Sequence, residues 1–383
     1  MSDTKTCNRT HTVLILDNEL GMGGLEKKLF DFVSRVDKAH FRIVVCCLKQ
    51  GGYFKEAFMG AGAPFYEGIL KHRYDLMAYR HLVRIIKQEG VDLIYTFLHP
   101  NTVVFAHMAR VTRLVKALIV SVHATGSPTG GRLVRPFQKP FLGVVDRFIA
   151  VADSHRDYLS SREGLPADKV VVIHNGVDTE KYSPGEPRAA LARELGLENA
   201  GPVITTVASL NERKGIDVLL GAFARIRERQ PGAALLLVGD GPEREKLRAM
   251  ALGLGIGDGV VFAGIRDDID EILRLSDLFV LPSRPGTETF PNVVLEAMAS
   301  ALPVVATDVG SVGELAADGE SALLVPPEDG DRLYGAMEKM LSDKKLRRRF
   351  GERGREIVLE KFDLGGMCAK REQLFSELLC THE

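Results

Sequence analysis

Long apolar runs are missing from this sequence of 383 residues. The runs at 235–238 and 278–281 fall far short of the roughly 18 residues that a membrane-spanning helix needs. The first residues also lack the apolar segment that is typical of a secretory signal. The sequence therefore predicts a chain that does not cross a bilayer.

Cysteine is scarce, with five in the chain: Cys7, Cys46, Cys47, Cys368 and Cys380. None forms a Cys-x-x-Cys pair or has the spacing of a metal site, so neither a disulfide framework nor a cysteine-held metal is expected. The sequence also shows no internal repeat and no low-complexity tract. These absences favour a reduced, cytoplasmic, globular protein.

The net charge is small, but its two signs are unevenly distributed. Residues 1–180 carry 24 Lys and Arg against 18 Asp and Glu, a formal charge of +6, whereas the remaining residues carry −7. The basic half permits an anionic partner. Unremarkable scatter of solvated charge is the alternative.

The length corresponds to two domains, and the pattern along the chain supports this. Short β-branched runs alternate with segments of helical period, as in the strand 12–16 and the helix whose apolar positions begin at Leu25. Such alternation predicts a mainly parallel sheet covered by helices. The further strands expected in the first half are 42–48, 93–97, 117–122, 147–151 and 170–173.

After a turn and linker at 175–187 the alternation restarts, which predicts a second doubly wound domain. We expect domains at 1–182 and 183–362, with a C-terminal helix at 363–383 packing back on the first domain. Ligands of such sheets bind beyond the carboxyl ends of strands, so the active site is expected in a cleft between the two sheets. The strands expected in the second domain are 203–207, 234–238, 260–262, 278–281 and 303–306.

The first strand leads into a glycine-rich loop that contains Gly23 and Gly24. A dinucleotide fingerprint would need glycine where Glu26 stands and an acid where Lys49 stands, so NAD binding is disfavoured. A helix N-terminus behind such a loop suits a phosphate group. A plain loop is the alternative.

Two adjacent cations, Arg213 and Lys214, precede the helix that follows the strand 203–207. Cations at a helix N-terminus oppose the helix dipole unless they meet an anion there. A pyrophosphate is the obvious candidate, and two solvated surface charges are the alternative.

Two glutamates, Glu288 and Glu296, flank the segment 289–295. Asn292 or a neighbouring residue is expected to cap a helix, which places Glu288 in the loop before it and Glu296 in its early turns. Carboxylates accept hydrogen bonds from vicinal hydroxyls such as those of a ribose or a hexose. Taken as spacing alone, a glutamate near a helix end is commonplace.

The stretch 288–303 (ETFPNVVLEAMASALP) resembles the signature of the family 4 retaining glycosyltransferases of GT-B fold. Further motifs agree with that family in order and spacing, and together they cover nearly the whole chain. They are GGLE at 23–26, HNGVD at 174–178, RKG at 213–215, VGDGP at 238–242, and the prolines at 326–327 after Gly310 and Glu314.

The resemblance implies the roles of individual residues. Gly23 and Gly24 would lie at the donor phosphate, with Gly24 making a backbone contact, and Arg213 and Lys214 would pair with the diphosphate. Glu296 would bind the ribose and Glu288 the transferred sugar. The backbone of Phe290, Pro291 and Asn292 would face the sugar and phosphate. The backbone of Arg266 would lie beside the base, and the side chain of His123 would lie near the reacting sugar.

The resemblance also implies the reaction: a metal-independent transfer of a hexosyl unit from a nucleoside-diphosphate sugar, with retention through same-face attack and no cofactor. No Asp-x-Asp lies in a loop position that suggests a metal, and Asp267-Asp268 is expected to cap the helix 269–275 instead. One departure is Ala208-Ser209-Leu210, where the family often has Gly-Arg-Leu. One phosphate cation is therefore expected to be absent, with Arg213 as its substitute. The alternatives are a nucleotide-sugar epimerase and a non-catalytic nucleotide-sugar-binding protein.

A basic and apolar segment follows His123, with Arg132, Arg135, Lys139 and Arg147 interleaved among leucine, valine and phenylalanine. Such a segment can lie on an anionic membrane surface. A core-packed helix with a solvated rim is the alternative. Family members often extend lipid-linked or envelope glycans, so we expect a glycan or lipid-linked acceptor, peripheral contact with the inner leaflet and no nucleic acid partner.

Overall fold

The computed structural model of the chain describes residues 9–21, 23–72, 75–124 and 139–380. The chain divides into two compact units. The first unit comprises Met1–Gly176 and Leu364–Glu383, and the second comprises Val177–Asp363. Among the helices of the described residues, none combines the length and the apolar character that a membrane span requires.

The first unit is built on a seven-stranded parallel sheet with the strand order β3-β2-β1-β4-β5-β6-β7. The strands are β1 (His11–Asp17), β2 (Phe41–Cys47), β3 (Phe65–Tyr66), β4 (Leu93–Phe97), β5 (Ala117–Ser121), β6 (Arg147–Ala150) and β7 (Val170–Val172). The helices are α1 (Gly24–Arg35), α2 (Lys55–Gly60), α3 (Leu76–Glu89), α4 (Pro100–Val111), α5 (Lys139–Leu142), α6 (Asp153–Ser161) and the C-terminal α15 (Leu364–Cys380).

Both faces of this sheet are buried, which explains why its strands are almost continuously apolar. Val13 and Ile15 point into the core that includes residues of α1 and α15. Leu14 and Leu16 point to the opposite face, into the core that includes residues of α3 and α4. Phe375 of α15 anchors the first core through edge-to-face contacts with aromatic rings of α1 and β2.

The second unit has a six-stranded parallel sheet with the order β10-β9-β8-β11-β12-β13. The strands are β8 (Val203–Val207), β9 (Ala234–Val238), β10 (Val260–Gly264), β11 (Leu278–Leu281), β12 (Val304–Thr307) and β13 (Ala322–Val325). The helices are α7 (Ala189–Glu194), α8 (Ile216–Arg229), α9 (Arg244–Gly253), α10 (Ile269–Leu275), α11 (Asn292–Ala299), α12 (Val312–Leu315), α13 (Gly330–Ser342) and α14 (Lys344–Lys361).

These sheets confirm the predicted fold class of two doubly wound α/β domains. The strand order reverses between β1 and β4 in the first unit and between β8 and β11 in the second. Ligands of open α/β sheets bind beyond the strand ends at such switch points. The loops after β8 and β11, which contain Arg213, Lys214 and Glu288, therefore lie where a ligand is expected.

Candidate active site

Lys214 and Glu288, which are 74 residues apart in sequence, form an ion pair in the second unit. The Lys214 ammonium donates to Glu288 Oε1 over 2.6 Å. The Ser283 hydroxyl donates to the same oxygen over 2.6 Å, and Glu288 is 7 % exposed. The interpretation of Lys214 as a merely solvated charge is therefore wrong, because a buried carboxylate holds it in place.

Arg213 joins the same two loops through its side chain and its backbone. Its guanidinium donates to the carbonyl of Gly286. Its own carbonyl accepts hydrogen bonds from the Arg284 amide at 2.9 Å and from the Thr287 hydroxyl at 3.0 Å. Among the residues that the structure describes, no carboxylate pairs with Arg213, so its charge is available to an anion.

A short 3-10 turn at Glu212–Lys214, and not the first turn of α8 itself, carries the two cations. The side chain of Asn211 caps this turn by accepting from the Arg213 amide at 3.1 Å. Gly215 then ends the turn with φ +63, and a Cβ there would lie 2.1 Å from the Pro282 carbonyl oxygen. Only glycine permits both this backbone conformation and this close approach to the loop after β11.

The loop after β12 holds the backbone of the Glu288 segment in the same way. A Cβ on Gly310, whose φ is +59, would lie 2.0 Å from the carbonyl oxygen of Glu288. The next residue, Ser311, is buried and donates its hydroxyl to the Thr289 carbonyl. Three loops therefore fix the position of the Glu288 carboxylate.

Glu296 lies on α11, in the second turn, and is 4 % exposed. Of the residues expected to cap this helix, Asn292 or a neighbour, the neighbour Pro291 occupies the N-cap position, and it makes no side-chain capping hydrogen bond. Proline has no amide hydrogen. Of the segment expected to face the donor, only Phe290 and Asn292 can therefore donate through the backbone.

The Arg266 side chain is held within the protein. It pairs with Asp268 through two hydrogen bonds of 2.8 and 2.6 Å and also contacts Glu194. These carboxylates raise the pKa of Arg266. Of the pair Asp267-Asp268 that was expected to cap α10, Asp268 occupies the N-cap position. Its carboxylate binds Arg266 and makes no capping hydrogen bond.

In the first unit, Gly23 is the N-cap of α1 and Gly24 its first residue. Glu26 folds back so closely that its Oε2 atom would lie 2.4 Å from a Cβ on Gly23. Burial raises the pKa of Glu26. Burial, with Glu26 as a further cause, also raises the pKa of Asp17 to about 7. Sequence reasoning missed Asp17, although the last residue of the first strand is where a ligand-facing side chain is expected.

His123 follows β5 and is half-buried. Its Nε2 atom and the Ser121 hydroxyl form a hydrogen bond of 2.8 Å, and its ring lies 5.8 Å from that of Phe97. Burial, followed by the positive charge of Arg371 and the neighbouring His155, lowers the pKa of His123 to about 3. The imidazole is therefore neutral at physiological pH and available for hydrogen bonding.

The structure thus brings together the predicted residues Arg213, Lys214 and Glu288 in one unit, and describes Gly23, Gly24 and His123 in the other. Arg132 and Arg135 of the predicted membrane segment lie outside the described residues. Arg147 belongs to β6, where its guanidinium contacts the Asp146 carbonyl.

Comparison with known proteins gives two family models that divide the chain. Residues 22–181 match the model described as Glycosyltransferase Family 4, and residues 187–357 match Glycosyl transferases group 1. The first segment contains β2 to β7 of the first sheet, and the second contains all six strands of the second sheet. Between them the segments contain every predicted site residue.

Curated relatives and solved structures agree with these models. The GDP-mannose-dependent alpha-(1-6)-phosphatidylinositol monomannoside mannosyltransferase of Mycobacterium tuberculosis is 28% identical over 94% of this chain and 96% of its own length. The N-acetyl-alpha-D-glucosaminyl L-malate synthase of Bacillus anthracis is 27% identical over 80% of each chain. Anabaena HepE, solved with UDP-glucose, superposes with a TM-score of 0.81 at 23% identity, covering 96% of this chain and 99% of that one. The matched models, the relatives and the two parallel sheets show that the chain belongs to the family 4 glycosyltransferases of GT-B fold.

Proposed function

We propose that the chain transfers a hexosyl unit from a nucleoside-diphosphate sugar to a glycan or lipid-linked acceptor, with retention at the anomeric carbon and without a metal ion. One observation carries the proposal: Lys214 is bonded to the buried Glu288, beside Arg213, whose charge no described carboxylate neutralises. Fixed cations next to a hydrogen-bond acceptor suit a diphosphate attached to a sugar.

The two cations stabilise the leaving diphosphate. An ammonium has three N–H donors, and Glu288 takes one from Lys214, so Lys214 can hold the carboxylate and a phosphate oxygen together. Arg213 adds a planar guanidinium that matches phosphate oxygens in pairs. Because these cations are positioned before the reaction, they supply the charge stabilisation that a metal ion supplies elsewhere.

The remaining predicted residues position the donor. Glu288 accepts hydrogen bonds from hydroxyls of the transferred sugar, and Glu296 accepts them from the ribose. The backbone amides of Phe290 and Asn292 face the sugar and phosphate. Gly24 contributes its amide at the N-terminus of α1, with Gly23 beside it, and the Arg266 backbone lies beside the base.

The chemical step follows from these roles. The bond between the anomeric carbon and the diphosphate oxygen breaks, and the acceptor oxygen forms a new bond on the same face of the sugar. The acceptor proton passes to the leaving diphosphate oxygen, which keeps the charge balanced. His123 lies near the reacting sugar and, being neutral, acts by hydrogen bonding and not as a charged acid.

The activities for which the relatives are named support this donor and acceptor class. The Mycobacterium tuberculosis relative is named for GDP-mannose and a phosphatidylinositol mannoside, and HepE was solved with UDP-glucose. We further propose that the chain works in the cytoplasm, on the inner face of the membrane. Sedimentation with anionic liposomes at low salt tests this, since binding should be lost when Arg132, Arg135 and Lys139 become serine.

A donor screen tests the proposed activity. The chain is incubated with UDP- and GDP-sugars in excess chelator, and free nucleoside diphosphate is measured together with the sugar product. We expect release of nucleoside diphosphate from at least one donor. Epimerisation of the sugar, or binding without turnover of any donor, would favour the epimerase or the non-catalytic protein instead.

A further inference from the structure

Arg371 of α15 is a buried charge without a counter-ion in the first unit. Its side chain is 2 % exposed, and its guanidinium carbon lies 5.4 Å from the centre of the Phe32 ring. Within the described part of the chain, no carboxylate pairs with Arg371, and its Nε atom is buried without a hydrogen-bond partner. Burying a guanidinium in this way is unfavourable unless an anion approaches it.

The carboxylates near Arg371 are engaged by other groups. Glu372, the next residue on α15, accepts a hydrogen bond from the Asp37 amide at 3.0 Å. Lys28, one turn before Phe32 on α1, is 1 % exposed and pairs with Asp31 at 3.1 Å, so these two charges cancel. Burial raises the pKa of the Cys368 thiol to about 11, which keeps it protonated. His123, whose pKa the Arg371 charge helps to lower, is neutral. None of these groups therefore acts as a counter-ion to Arg371.

A second buried polar atom without a partner lies in the same core. The Tyr95 hydroxyl of β4 is buried and makes no hydrogen bond among the described residues. The Tyr95 ring lies 5.8 Å from that of Phe375, which is one turn from Arg371 on α15. It also lies 5.5 Å from Phe97, whose ring contacts His123. Arg371 contacts Phe32, whose ring contacts that of Phe375. Ring contacts thus connect Arg371 to the carboxyl end of β4, the edge where such sheets bind ligands.

We propose that Arg371, with the Tyr95 hydroxyl as a further donor, binds an anionic group of the acceptor, a phosphate or a carboxylate. A guanidinium presents paired N–H donors that match the oxygens of such a group. The inference rests on the proposed function, which assigns the donor diphosphate to Arg213 and Lys214 of the second unit. The anion at Arg371 is then a second one, and it belongs to the acceptor.

Replacement of Arg371 by methionine tests the site in the full-length chain. Inorganic phosphate is titrated at constant ionic strength, and the melting temperature is measured at each concentration. The nucleoside diphosphate that the chain binds is present throughout at a saturating concentration. We expect phosphate to raise the melting temperature of the wild type, and Arg371→Met to weaken this apparent affinity by about 10-fold or more. Lys370→Met, which removes an exposed charge one position away, is the matched control and should respond like the wild type.

The same titration separates binding from a structural role. Without phosphate, Arg371→Met should melt at or above the wild-type temperature, because an unpaired buried charge has been removed. A lower melting temperature with unchanged phosphate affinity would show that Arg371 serves the fold alone. If Arg371→Met does not fold, Arg371→Lys keeps the charge without the paired donors, and wild-type phosphate affinity in that variant would overturn the proposal.

Two further outcomes distinguish the sources of the anion. Loss of nucleoside diphosphate affinity in Arg371→Met would place the donor at Arg371 and overturn the acceptor assignment. If the chain turns over no donor, the proposed function is refuted. If phosphate still raises the melting temperature in a way that depends on Arg371, Arg371 is upheld as an anion site.

Discussion

The most specific prediction about the reaction follows from the ion pair between Lys214 and Glu288. Lys214→Met removes a cation that is held 2.6 Å from a carboxylate whose side chain is 9 % exposed. If Lys214 stabilises the leaving diphosphate, its loss should lower kcat by on the order of 100-fold or more, as for other fixed donors that face a developing charge.

The same substitution also affects stability, because it leaves Glu288 with Ser283 as its remaining side-chain donor. An uncompensated, largely buried carboxylate costs about 1–3 kcal/mol. Urea unfolding of Lys214→Met should therefore show a loss in that range, and adding Glu288→Gln should recover part of it. The double variant should regain stability without regaining activity, because it lacks both the cation at the diphosphate and the carboxylate that binds the sugar.

Lys246→Met provides the matched control for Lys214. Lys246 also lies in the second unit and also pairs at 2.6 Å, with Glu243, but its side chain is 70 % exposed. An exposed pair contributes little, so neither kcat nor stability should change appreciably. The assay is release of nucleoside diphosphate, with far-UV circular dichroism confirming the fold. A Lys214→Met enzyme with nearly wild-type kcat and normal folding would refute the reasoning.

Three further predictions concern other parts of the fold and site. Because the pKa of Asp17 is raised to about 7, the folded state retains a proton that the unfolded state loses near pH 4. The contribution of Asp17 to stability is therefore lost as pH rises from about 4 through about 7. Asp17→Asn should therefore gain stability over the wild type at pH 8, by up to about 4 kcal/mol, and an identical pH dependence of the two proteins would contradict this. Gly215→Ala should lower the melting temperature because its Cβ would meet the Pro282 carbonyl, whereas Gly221→Ala, where nothing lies within 4 Å in α8, should leave it unchanged or raise it. Calorimetric titration should show that Glu296→Gln weakens nucleoside diphosphate binding while Glu288→Gln spares it and reduces transfer, and equal losses of affinity would disprove this division of roles.

Sequence alone predicted most of the strands because fully buried parallel strands are short apolar runs with clear ends. The expected bounds of β4, β8, β9 and β11 agree with the structure. The two missed strands lie at sheet edges. β3 has two residues that become a strand only through pairing with Val45 and Cys46, and such non-local pairing leaves no periodic pattern.

The candidate site was predictable in its residue types but not in its contacts. Arg213, Lys214, Glu288 and Glu296 stand out by motif, yet nothing in a sequence shows that Lys214 bonds to Glu288 across 74 positions. Arg371 was missed because it belongs to none of the motifs. A cation within an amphipathic helix usually faces solvent, and its burial depends on how α15 packs in the first unit.

The most direct test of the central claim is a time course of donor turnover followed by proton NMR in excess chelator. The anomeric signal of the first product shows whether the sugar configuration is kept. We predict that nucleoside diphosphate is released without a metal ion and that the first-formed product has the anomeric configuration of the donor. A first-formed product of inverted configuration, or turnover that appears only after a divalent metal is added, would contradict the account.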